Sequence, residues 1–301
     1  MNKEKNNMKE CLLYSKSGDY TFCGTCNHRC RIAPYKTGIC GVRENQNGKL
    51  NLLVYGRIIA ENIDPIEKKP LYHFMPGTFS LSIATVGCNF RCLWCQNADI
   101  SQCTKEKNSR SDVTNTLGIE MTPEQIVEDA KKNHCPSISY TYTEPTIFLE
   151  FALDTMKLAK KAGLKNIWVS NGYMTKECLT LIAPYLDAIN VDLKGFSEEN
   201  YLKYSGAKLQ PVLDNIKNIF KRGIHIEVTT LIIPTVNDDE KQLNDIAKFL
   251  ASISKRIPWH ISRFFPTYKM TDVPPTPVET LKLAETLGKK AGLKYIHFGN
   301  V

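Results

Sequence analysis

The carboxyl-terminal part of the chain alternates between helical stripes of apolar residues and short β-branched runs. Apolar side chains recur at helical spacing over 148–162 and again over 212–220. Helical stretches end in basic residues and a glycine at 160–165, 221–223 and 289–294, and a β-branched run follows each of them. Alternation of this kind predicts parallel strands covered by helices.

These runs predict strands near 79–86, 137–142, 166–170, 187–192, 224–232, 258–264 and 294–298. Thr122 and Thr276 each begin a capping box with proline at the next position, which predicts a helix start at both places. The strand–helix units after the first strand favour an α/β fold, a partial (β/α)6 barrel over residues 76–301. A flat, doubly wound sheet is the alternative.

Residues 1–75 follow a different pattern, in which cysteines gather between 23 and 40. The segment 49–59 alternates enough to predict a short strand or hairpin. The segment 64–77 contains three prolines and a glycine, so we interpret it as an irregular linker into the main domain. We therefore expect an amino-terminal Cys-rich module over 1–75, ahead of the barrel.

Composition is that of an ordinary globular protein. The 301 residues are 42% hydrophobic and 23% charged, and the net charge of +8 is spread along the chain without a dense basic block. The charge suits an acidic partner or an anionic substrate, and we expect no nucleic acid. Residues 1–10 lack the apolar core of a secretory signal, and no apolar run approaches the ~18 residues of a membrane span. We expect a cytoplasmic protein, where clustered cysteines favour metal ligands over disulfides.

The loop 87–96 follows the first expected strand and carries Cys88, Cys92 and Cys95 in a C-x3-C-x2-C spacing. Iron–sulfur clusters normally take four cysteine ligands, so three thiolates leave one iron of a cubane open. An open position is where a metal site does chemistry. Three unrelated cysteines, or a zinc knuckle lacking a ligand, are the alternatives, and Cys103 could close a four-cysteine site.

The leader contains a second candidate metal site, with spacing C-x2-C-x3-C-x9-C, formed by Cys23, Cys26, Cys30 and Cys40. Four thiolates suit tetrahedral zinc or a second iron–sulfur cluster. A reduced Cys-rich lid without metal is the alternative. The remaining cysteines stand alone and are interpreted as ordinary thiols: Cys11, Cys103, Cys135 and Cys178.

The cysteine loop, with Trp94 before its third cysteine, resembles the signature of radical S-adenosylmethionine (radical SAM) enzymes. Together with the string 71–77, it resembles the AmmeMemoRadiSam group, which is related to pyruvate formate-lyase activating enzyme. The resemblance implies a [4Fe-4S] cluster whose open iron is chelated by S-adenosylmethionine. It also implies reductive cleavage of that molecule to a 5′-deoxyadenosyl radical, which abstracts hydrogen from an unidentified substrate.

Several candidate residues follow strand ends, where parallel α/β folds place their active groups. The resemblance puts Glu144 at the motif that holds the amino group of S-adenosylmethionine; a helix-start glutamate is the alternative. Ser170 and Asn171 resemble part of the Thr-Asn-Gly turn of activases. Asp192 and Lys194 resemble the Asp-Leu-Lys in which aspartate binds ribose and lysine binds the cofactor carboxylate.

Trp94 is expected to pack near the cofactor, with a plain core aromatic as the alternative. Substrate candidates are His73, His260 and Arg263, although a lone strand histidine is more often packed than catalytic. Lys68 and Lys69 could also face substrate, or form a solvated charge run. The chain departs from activases at 266–269, where they have a Pro-Tyr-His-type string, which weakens transfer of their substrate.

Three functions remain open at this point: a radical enzyme of the AmmeMemoRadiSam type, a glycyl-radical-enzyme activase, and a non-enzymatic iron–sulfur or zinc protein with an acidic partner. The resemblance implies an external electron donor of the reduced flavodoxin or ferredoxin class. It also implies association with Memo-type and AMMECR-type proteins. The polar region 99–121 is expected to form a mobile loop over the site.

Overall fold

The computed structural model describes residues 8–105 and 117–301. The central part of the expected loop at 99–121 therefore lies outside the described residues. The leader strands are β1 (Lys9–Glu10), β2 (Tyr14–Ser17), β3 (Tyr20–Cys23), β4 (Arg31–Ile32), β5 (Arg43–Gln46), β6 (Lys49–Leu52) and β7 (Arg57–Ile58). Six of these short strands form two antiparallel sheets, in the orders β1-β6-β5 and β2-β3-β4. The short strand or hairpin expected at 49–59 contains two short strands, β6 and β7, and β6 pairs with β5, which lies before this range.

The main sheet has eight strands: β8 (Ala60–Pro65), β9 (Phe79–Ala84), β11 (Ser137–Tyr140), β12 (Lys165–Ser170), β13 (Ala188–Asp192), β14 (His225–Ile232), β15 (Trp259–Arg263) and β16 (Ile296–Gly299). Their order in the sheet is β16-β15-β14-β13-β12-β11-β9-β8. The short strand β10 (Ile119–Glu120) instead pairs with β7. Within the main sheet all pairs from β9 to β16 are parallel, and every expected strand is present.

Spatial order along this sheet follows chain order and never reverses. A doubly wound sheet reverses at a switch point, whereas a barrel adds each new strand on the same side. The partial-barrel prediction is therefore confirmed over the flat alternative. One strand was not foreseen, since β8 pairs antiparallel with β9 at the edge of the sheet, where a linker was expected to begin.

Helices cover the parallel strands. They are α1 (Ala98–Ser101), α2 (Pro123–Lys132), α3 (Leu149–Lys161), α4 (Lys176–Ile182), α5 (Glu198–Asn200), α6 (Gln210–Lys221), α7 (Glu240–Ile253) and α8 (Val278–Ala291). Short 3-10 turns lie at Ile66–Lys68, Cys103–Lys105 and Pro145–Phe148, and a π-helical turn at Tyr201–Ser205. Among the described residues no helix is long and apolar enough to cross a membrane.

The capping box expected at Thr122 is present, with reciprocal hydrogen bonds to Gln125. The one expected at Thr276 was wrong. There Thr276 Oγ1 donates to the carbonyl of Ile232 at 2.5 Å and accepts from the N–H of Phe264 at 3.0 Å. This hydroxyl ties two strand ends together, so it is not available to cap α8, which begins two residues later.

A buried ion pair fastens the leader to the barrel. Arg43 of β5 donates to both carboxylate oxygens of Glu150 in α3, at 3.1 and 2.6 Å, and to the carbonyl of Ile147 at 3.0 Å. Both charged side chains are almost fully buried. The apolar cores of the leader and the barrel are also continuous. The division into domains at residue 75 stays a prediction.

Candidate active site

The cysteine loop leaves the carboxyl end of β9 and is held by backbone hydrogen bonds. The N–H groups of Arg91 and Leu93 donate to the carbonyls of Ser205 and Tyr204, at 2.8 and 3.1 Å. Both acceptors belong to the π-helical turn. Since backbone carbonyls and not side chains accept these hydrogen bonds, the turn has no sequence signature. This turn fixes the loop from a distant part of the chain.

Two of the three thiols of the loop are buried, and the third is partly exposed. Cys88 and Cys92 are buried, and Cys95 is half-buried with its sulfur 3.1 Å from Ser101 Oγ. Gly87, just before the first cysteine, has φ +97°, and an added Cβ would lie 2.9 Å from the carbonyl oxygen of Cys40. Only glycine fits this close approach between the loop and the leader.

Glu144, Ser170 and Asn171 lie together, as the sequence predicted. The Glu144 carboxylate is fully buried and accepts from Ser170 Oγ at 2.8 Å and from the N–H of Asn171 at 2.9 Å. Thr146 adds two further bonds, at 3.1 Å from its N–H and 2.5 Å from its hydroxyl. Burial raises the pKa of Glu144, and these hydrogen bonds oppose the rise without cancelling it. In this arrangement Glu144 shapes the turn that presents Ser170 and Asn171.

Asn89, between the first two cysteines, was not foreseen as a site residue. Its Oδ1 accepts from Asn171 Nδ2 at 2.7 Å, while its own Nδ2 is buried without a partner in the described structure. A buried donor without a partner is costly unless a ligand supplies the acceptor. The amide therefore marks an unfilled hydrogen-bonding position beside the cysteines.

Asp192 and Lys194 form an ion pair at the carboxyl end of β13, with Nζ to Oδ2 at 2.9 Å. Burial acts to lower the pKa of Lys194, but the Asp192 carboxylate and the nearby Cys92 sulfur outweigh it and raise the pKa. The lysine is therefore cationic and lies within electrostatic reach of the cysteine loop. Trp94 is buried against Tyr204, with ring centroids 6.4 Å apart.

The family model for the radical SAM superfamily matches residues 82–249, which span the cysteine loop and the strand ends just described. The chain belongs to the radical SAM superfamily. Membership implies a [4Fe-4S] cluster and S-adenosylmethionine, and it makes the chain an enzyme of the radical SAM type. The non-enzymatic alternative is thereby set aside.

Comparisons with known proteins gave relatives and a solved structure that this chain is similar to. An uncharacterized protein of Methanocaldococcus jannaschii is 46% identical over 98% of this chain and 86% of its own length. A putative glycyl-radical enzyme activating enzyme of the same organism is 28% identical, over 57% of this chain and 63% of its own length. A crystal structure of a radical SAM methyltransferase from Sphaerobacter thermophilus covers 76% of this chain and 68% of that one, at 12% identity and TM-score 0.54, and shows the shared fold.

The residues present suit both implied groups. Three thiols converge from one loop, the donor set that holds three irons of a cubane. Next to them are a cationic lysine, a carboxylate and the unpartnered Asn89 amide, which match a ligand bearing carboxylate and hydroxyl groups. Cys88, Cys92 and Cys95 would hold the cluster, while Lys194 and Asp192 would bind the polar groups of S-adenosylmethionine.

Two of the substrate candidates, His73 and His260, meet toward the amino ends of the strands. They surround Glu227, which the sequence did not identify as a site residue. The Glu227 carboxylate is fully buried and accepts from His260 Nε2 at 2.6 Å, His225 Nε2 at 2.9 Å and the N–H of His73 at 2.8 Å. Burial acts to raise the pKa of Glu227, but the hydrogen bonds from the two histidine rings outweigh it and hold the pKa at about 2.

The third substrate candidate, Arg263, does not join the Glu227 cluster. Its Nε donates to the carbonyl of Thr276 at 2.7 Å.

The two linker lysines differ from each other in their exposure to solvent. Lys69 is buried and donates to Asp64 Oδ2 at 2.6 Å, whereas the Lys68 side chain is 68% exposed, as a solvated charge would be. Lys69 also lies over the Tyr142 ring, 4.5 Å from its centroid.

A cleft of about 770 Å³ opens beside the cysteine loop, between the leader and the π-helical turn. Its described lining includes four cationic side chains and no carboxylate: Arg91, Lys105, Lys203 and Lys269. Arg91 lies between two of the cluster cysteines in sequence. The positive potential of this cleft is therefore concentrated next to the cluster position.

The four leader cysteines also line one cavity. Nevertheless, no group of three or more His, Cys, Asp or Glu side chains in 8–105 and 117–301 is arranged to hold a single metal ion. The same is true of Cys88, Cys92 and Cys95, whose thiolates would each bind a different iron. The absence of an arrangement for a single metal ion therefore does not distinguish the leader cysteines from those of the radical site.

Proposed function

We propose that this chain cleaves S-adenosylmethionine reductively and uses the product to take hydrogen from a substrate held in the barrel. The observation that carries this proposal is the Asp192–Lys194 pair beside Cys92, at the end of the sheet where the cysteine loop emerges. When bound, the reduced cluster supplies one electron that breaks a carbon–sulfur bond of S-adenosylmethionine, giving methionine and a 5′-deoxyadenosyl radical.

The chain's own residues bind and orient the cofactor. Lys194 offers its ammonium to the methionine carboxylate, and Asp192 accepts from the ribose hydroxyls. Ser170 and Asn171, held by Glu144, form the wall facing the amino group. Charge-assisted contacts of this kind are directional, so Lys194 and Asp192 would orient S-adenosylmethionine beside the cysteine loop. Trp94 packs beside the cofactor and helps to exclude water.

Reductive cleavage is tested with anaerobically reconstituted, dithionite-reduced protein. We expect 5′-deoxyadenosine, measured by chromatography and mass spectrometry, at a rate that depends on S-adenosylmethionine concentration. The matched control is Cys92→Ser, which loses a cluster ligand and should give none. An intact cluster, verified by its absorbance and iron content, that yields no 5′-deoxyadenosine would overturn the proposal.

A glycyl-radical-enzyme activase is the second candidate, favoured by the 28% identity with a putative activating enzyme. The departure at 266–269 weighs against it. Substrate deuteration separates the two candidates. Deuterium entering 5′-deoxyadenosine from a small molecule supports the first, whereas deuterium entering it from a backbone glycine of a protein partner supports the activase.

For the electron donor, we propose an acidic protein of the flavodoxin or ferredoxin class, docking at the basic cleft. The cations concentrated beside the cluster loop support this face, because opposite charge steers a partner to the point of electron entry. The double variant Lys203→Glu/Lys269→Glu should slow reduction by purified flavodoxin, and leave reduction by dithionite unchanged. Lys221→Glu on α6 is the control, and equal slowing in both would contradict the docking face.

The AmmeMemoRadiSam assignment, including association with Memo-type and AMMECR-type proteins, is part of this proposal. Its support is the sequence of the linker 71–77 and the cysteine loop. Co-purification of tagged chain with each purified partner tests the association, and absence of binding at micromolar concentrations would count against it.

A further inference from the structure

The sulfur of Cys95, the third cysteine of the radical site, contacts a hydroxyl at the end of α1. Ser101 Oγ lies 3.1 Å from Cys95 Sγ, and the serine is 1% exposed. The same oxygen accepts from Gln102 Nε2 at 3.0 Å, which leaves the hydroxyl hydrogen free to point at the sulfur. A metal-bound thiolate has no hydrogen to donate, so Ser101 is the donor whenever Cys95 binds a metal.

Gln102 connects this hydroxyl to a lysine. Its Oε1 accepts from Lys105 Nζ at 2.9 Å, and its Nε2 also donates to the carbonyl of Phe90 at 3.3 Å. These contacts fix the orientation of the amide, because its oxygen faces the ammonium and its nitrogen faces two acceptors. Gln102 is 6% exposed, so the amide is shielded from competing water. A chain of hydrogen bonds therefore runs from Lys105 through Gln102 and Ser101 to the sulfur of Cys95.

The segment that carries this chain is held by both the cysteine loop and the leader. Lys105 Nζ also donates to the carbonyl of Phe90, inside the loop. Thr104 Oγ1 donates to the carbonyl of Cys40, in the leader, at 2.9 Å. These contacts do not involve the sulfurs of the loop. The position of the chain is therefore set independently of whether a metal is bound.

The sulfurs of the other two loop cysteines have more distant donors. Cys88 Sγ accepts from the N–H of Phe90 at 3.4 Å, and Cys92 Sγ lies 3.7 Å from Ser205 Oγ. The contact at Cys95 is 3.1 Å long and continues to an ammonium. Of these three contacts, we therefore expect the one at Cys95 to have the largest electrostatic effect.

We propose that Ser101, Gln102 and Lys105 act as one positioning unit that raises the reduction potential of the cluster held by the cysteine loop. Reduction adds negative charge to the cluster, and a hydrogen bond directed at a ligand sulfur stabilises that charge. A neighbouring cation polarises the donor and strengthens the hydrogen bond, so the lysine acts on Cys95 through the amide. The inference rests on the cluster that the family implies and does not require the cleavage reaction proposed above.

The test is a redox titration followed by electron paramagnetic resonance, on anaerobically reconstituted chain without S-adenosylmethionine. Ser101→Ala should lower the midpoint potential by about 59 mV, a tenfold change in the one-electron equilibrium constant. Ser252→Ala, on the exposed face of α7, is the control and should leave the potential unchanged. Iron and acid-labile sulfide are measured to show that each variant carries the same cluster. An unchanged potential in Ser101→Ala overturns the proposal.

Two lysines of the basic cleft separate the hydrogen-bond chain from the effect of charge alone. Lys105→Met breaks the chain, whereas Lys203→Met removes an equal charge from the same cleft. Lys105→Met should lower the midpoint potential about as much as Ser101→Ala does, and Lys203→Met should lower it less. Equal shifts in the two lysine variants overturn the proposal. This comparison does not require Ser101→Ala to fold.

The double variant Ser101→Ala/Lys105→Met measures the coupling between the two ends of the chain. If the residues act as one unit, its shift should be close to that of either single variant and well below their sum. Additive shifts overturn the connection through Gln102. The expected pattern in a chain that forms no 5′-deoxyadenosine supports the unit and counts against the proposed reaction alone.

Discussion

Two clusters of buried polar groups, one at each end of the barrel, differ in how completely they are used. At the carboxyl ends, Asp192, Lys194 and the Asn89 amide lie beside three cysteines, and the amide has no partner within the described structure. Toward the amino ends, the Glu227 carboxylate already accepts four hydrogen bonds from the chain itself. One end is built to receive a ligand, and the other is built to hold strands and linker together.

Buried charge alone therefore does not identify an active site. Glu227 is as buried as any residue of the candidate site, and its pKa departs strongly from its ordinary value. Yet its contacts are with His225, His260 and the backbone of the linker, so structure explains the shift without a reaction. Free hydrogen-bonding capacity is the better criterion, and the two ends should respond differently to mutation.

The largest effect is expected for Cys92→Ser at the carboxyl end. Loss of one thiolate ligand prevents assembly of the cluster, so 5′-deoxyadenosine formation should fall to background. Iron content and product formation are the measurements, with Cys135→Ser as the control for a cysteine outside both groups. Retention of full activity in the variant would remove the cysteine loop from the mechanism.

At the amino end, Glu227→Gln should reduce the free energy of unfolding by about 3 kcal/mol, since it breaks a buried network that holds the carboxylate ionised. Chemical denaturation measures this value, and Glu128→Gln on the exposed face of α2 should change little. Affinity for S-adenosylmethionine should be unchanged. A variant with normal stability and weakened cofactor binding would reverse the roles of the two ends.

The same carboxylate predicts a dependence of stability on pH. Its pKa is lowered from 4.5 to about 2, so between these values the unfolded chain binds more protons than the native one. The Glu227 contribution is present in full above about pH 4.5 and is lost as pH falls toward 2. In denaturation measured across this range, Glu227→Gln should lose less stability than the wild type. Parallel curves would show that Glu227 is not responsible.

A smaller effect is expected for Lys194→Met. Removing one charge-assisted contact with the cofactor carboxylate costs about 1.5–3 kcal/mol, which corresponds to a roughly 10–100-fold loss of affinity for S-adenosylmethionine. Stability should change little, because the Asp192 side chain is 35% exposed and stays hydrated. Equilibrium binding to the reconstituted protein is the measurement, and Lys221→Met is the control. Unchanged affinity would exclude Lys194 from the cofactor site.

The smallest effect is expected in the linker, where two neighbouring lysines have opposite surroundings. Lys68→Ala should change the free energy of unfolding by less than about 0.5 kcal/mol, since an exposed ion pair contributes little. The matched substitution Lys69→Met leaves Asp64 buried without its ammonium and should cost several times more. Equal effects of the two substitutions would show that the burial of Lys69 is not what matters.

Much of this fold could be predicted from the sequence, because the spacing of apolar residues that is typical of strands and helices can be seen within a short stretch of chain. All the expected parallel strands were found within a few residues of their predicted bounds. The strand β8 was missed because its sequence, Ala-Glu-Asn-Ile-Asp-Pro, is polar and ends in proline. Such a segment pairs only because the edge of β9 is available to it.

The candidate site was predictable where motifs are contiguous and not where contacts join distant segments. The cysteine loop and the residues at 144, 170–171 and 192–194 follow recognisable strand ends. Glu227 has no motif, and its partners come from the linker and two strands. The acceptors in the π-helical turn are backbone carbonyls, which any residue type provides.

The buried pair between Arg43 and Glu150 has a consequence for biosynthesis. The arginine leaves the ribosome 107 residues before its carboxylate partner. Until then the leader carries a guanidinium that cannot enter a core without an uncompensated charge. The leader should therefore stay open on the nascent chain until α3 has been made. The leader, which is made before the barrel, would be among the last segments to reach its native state.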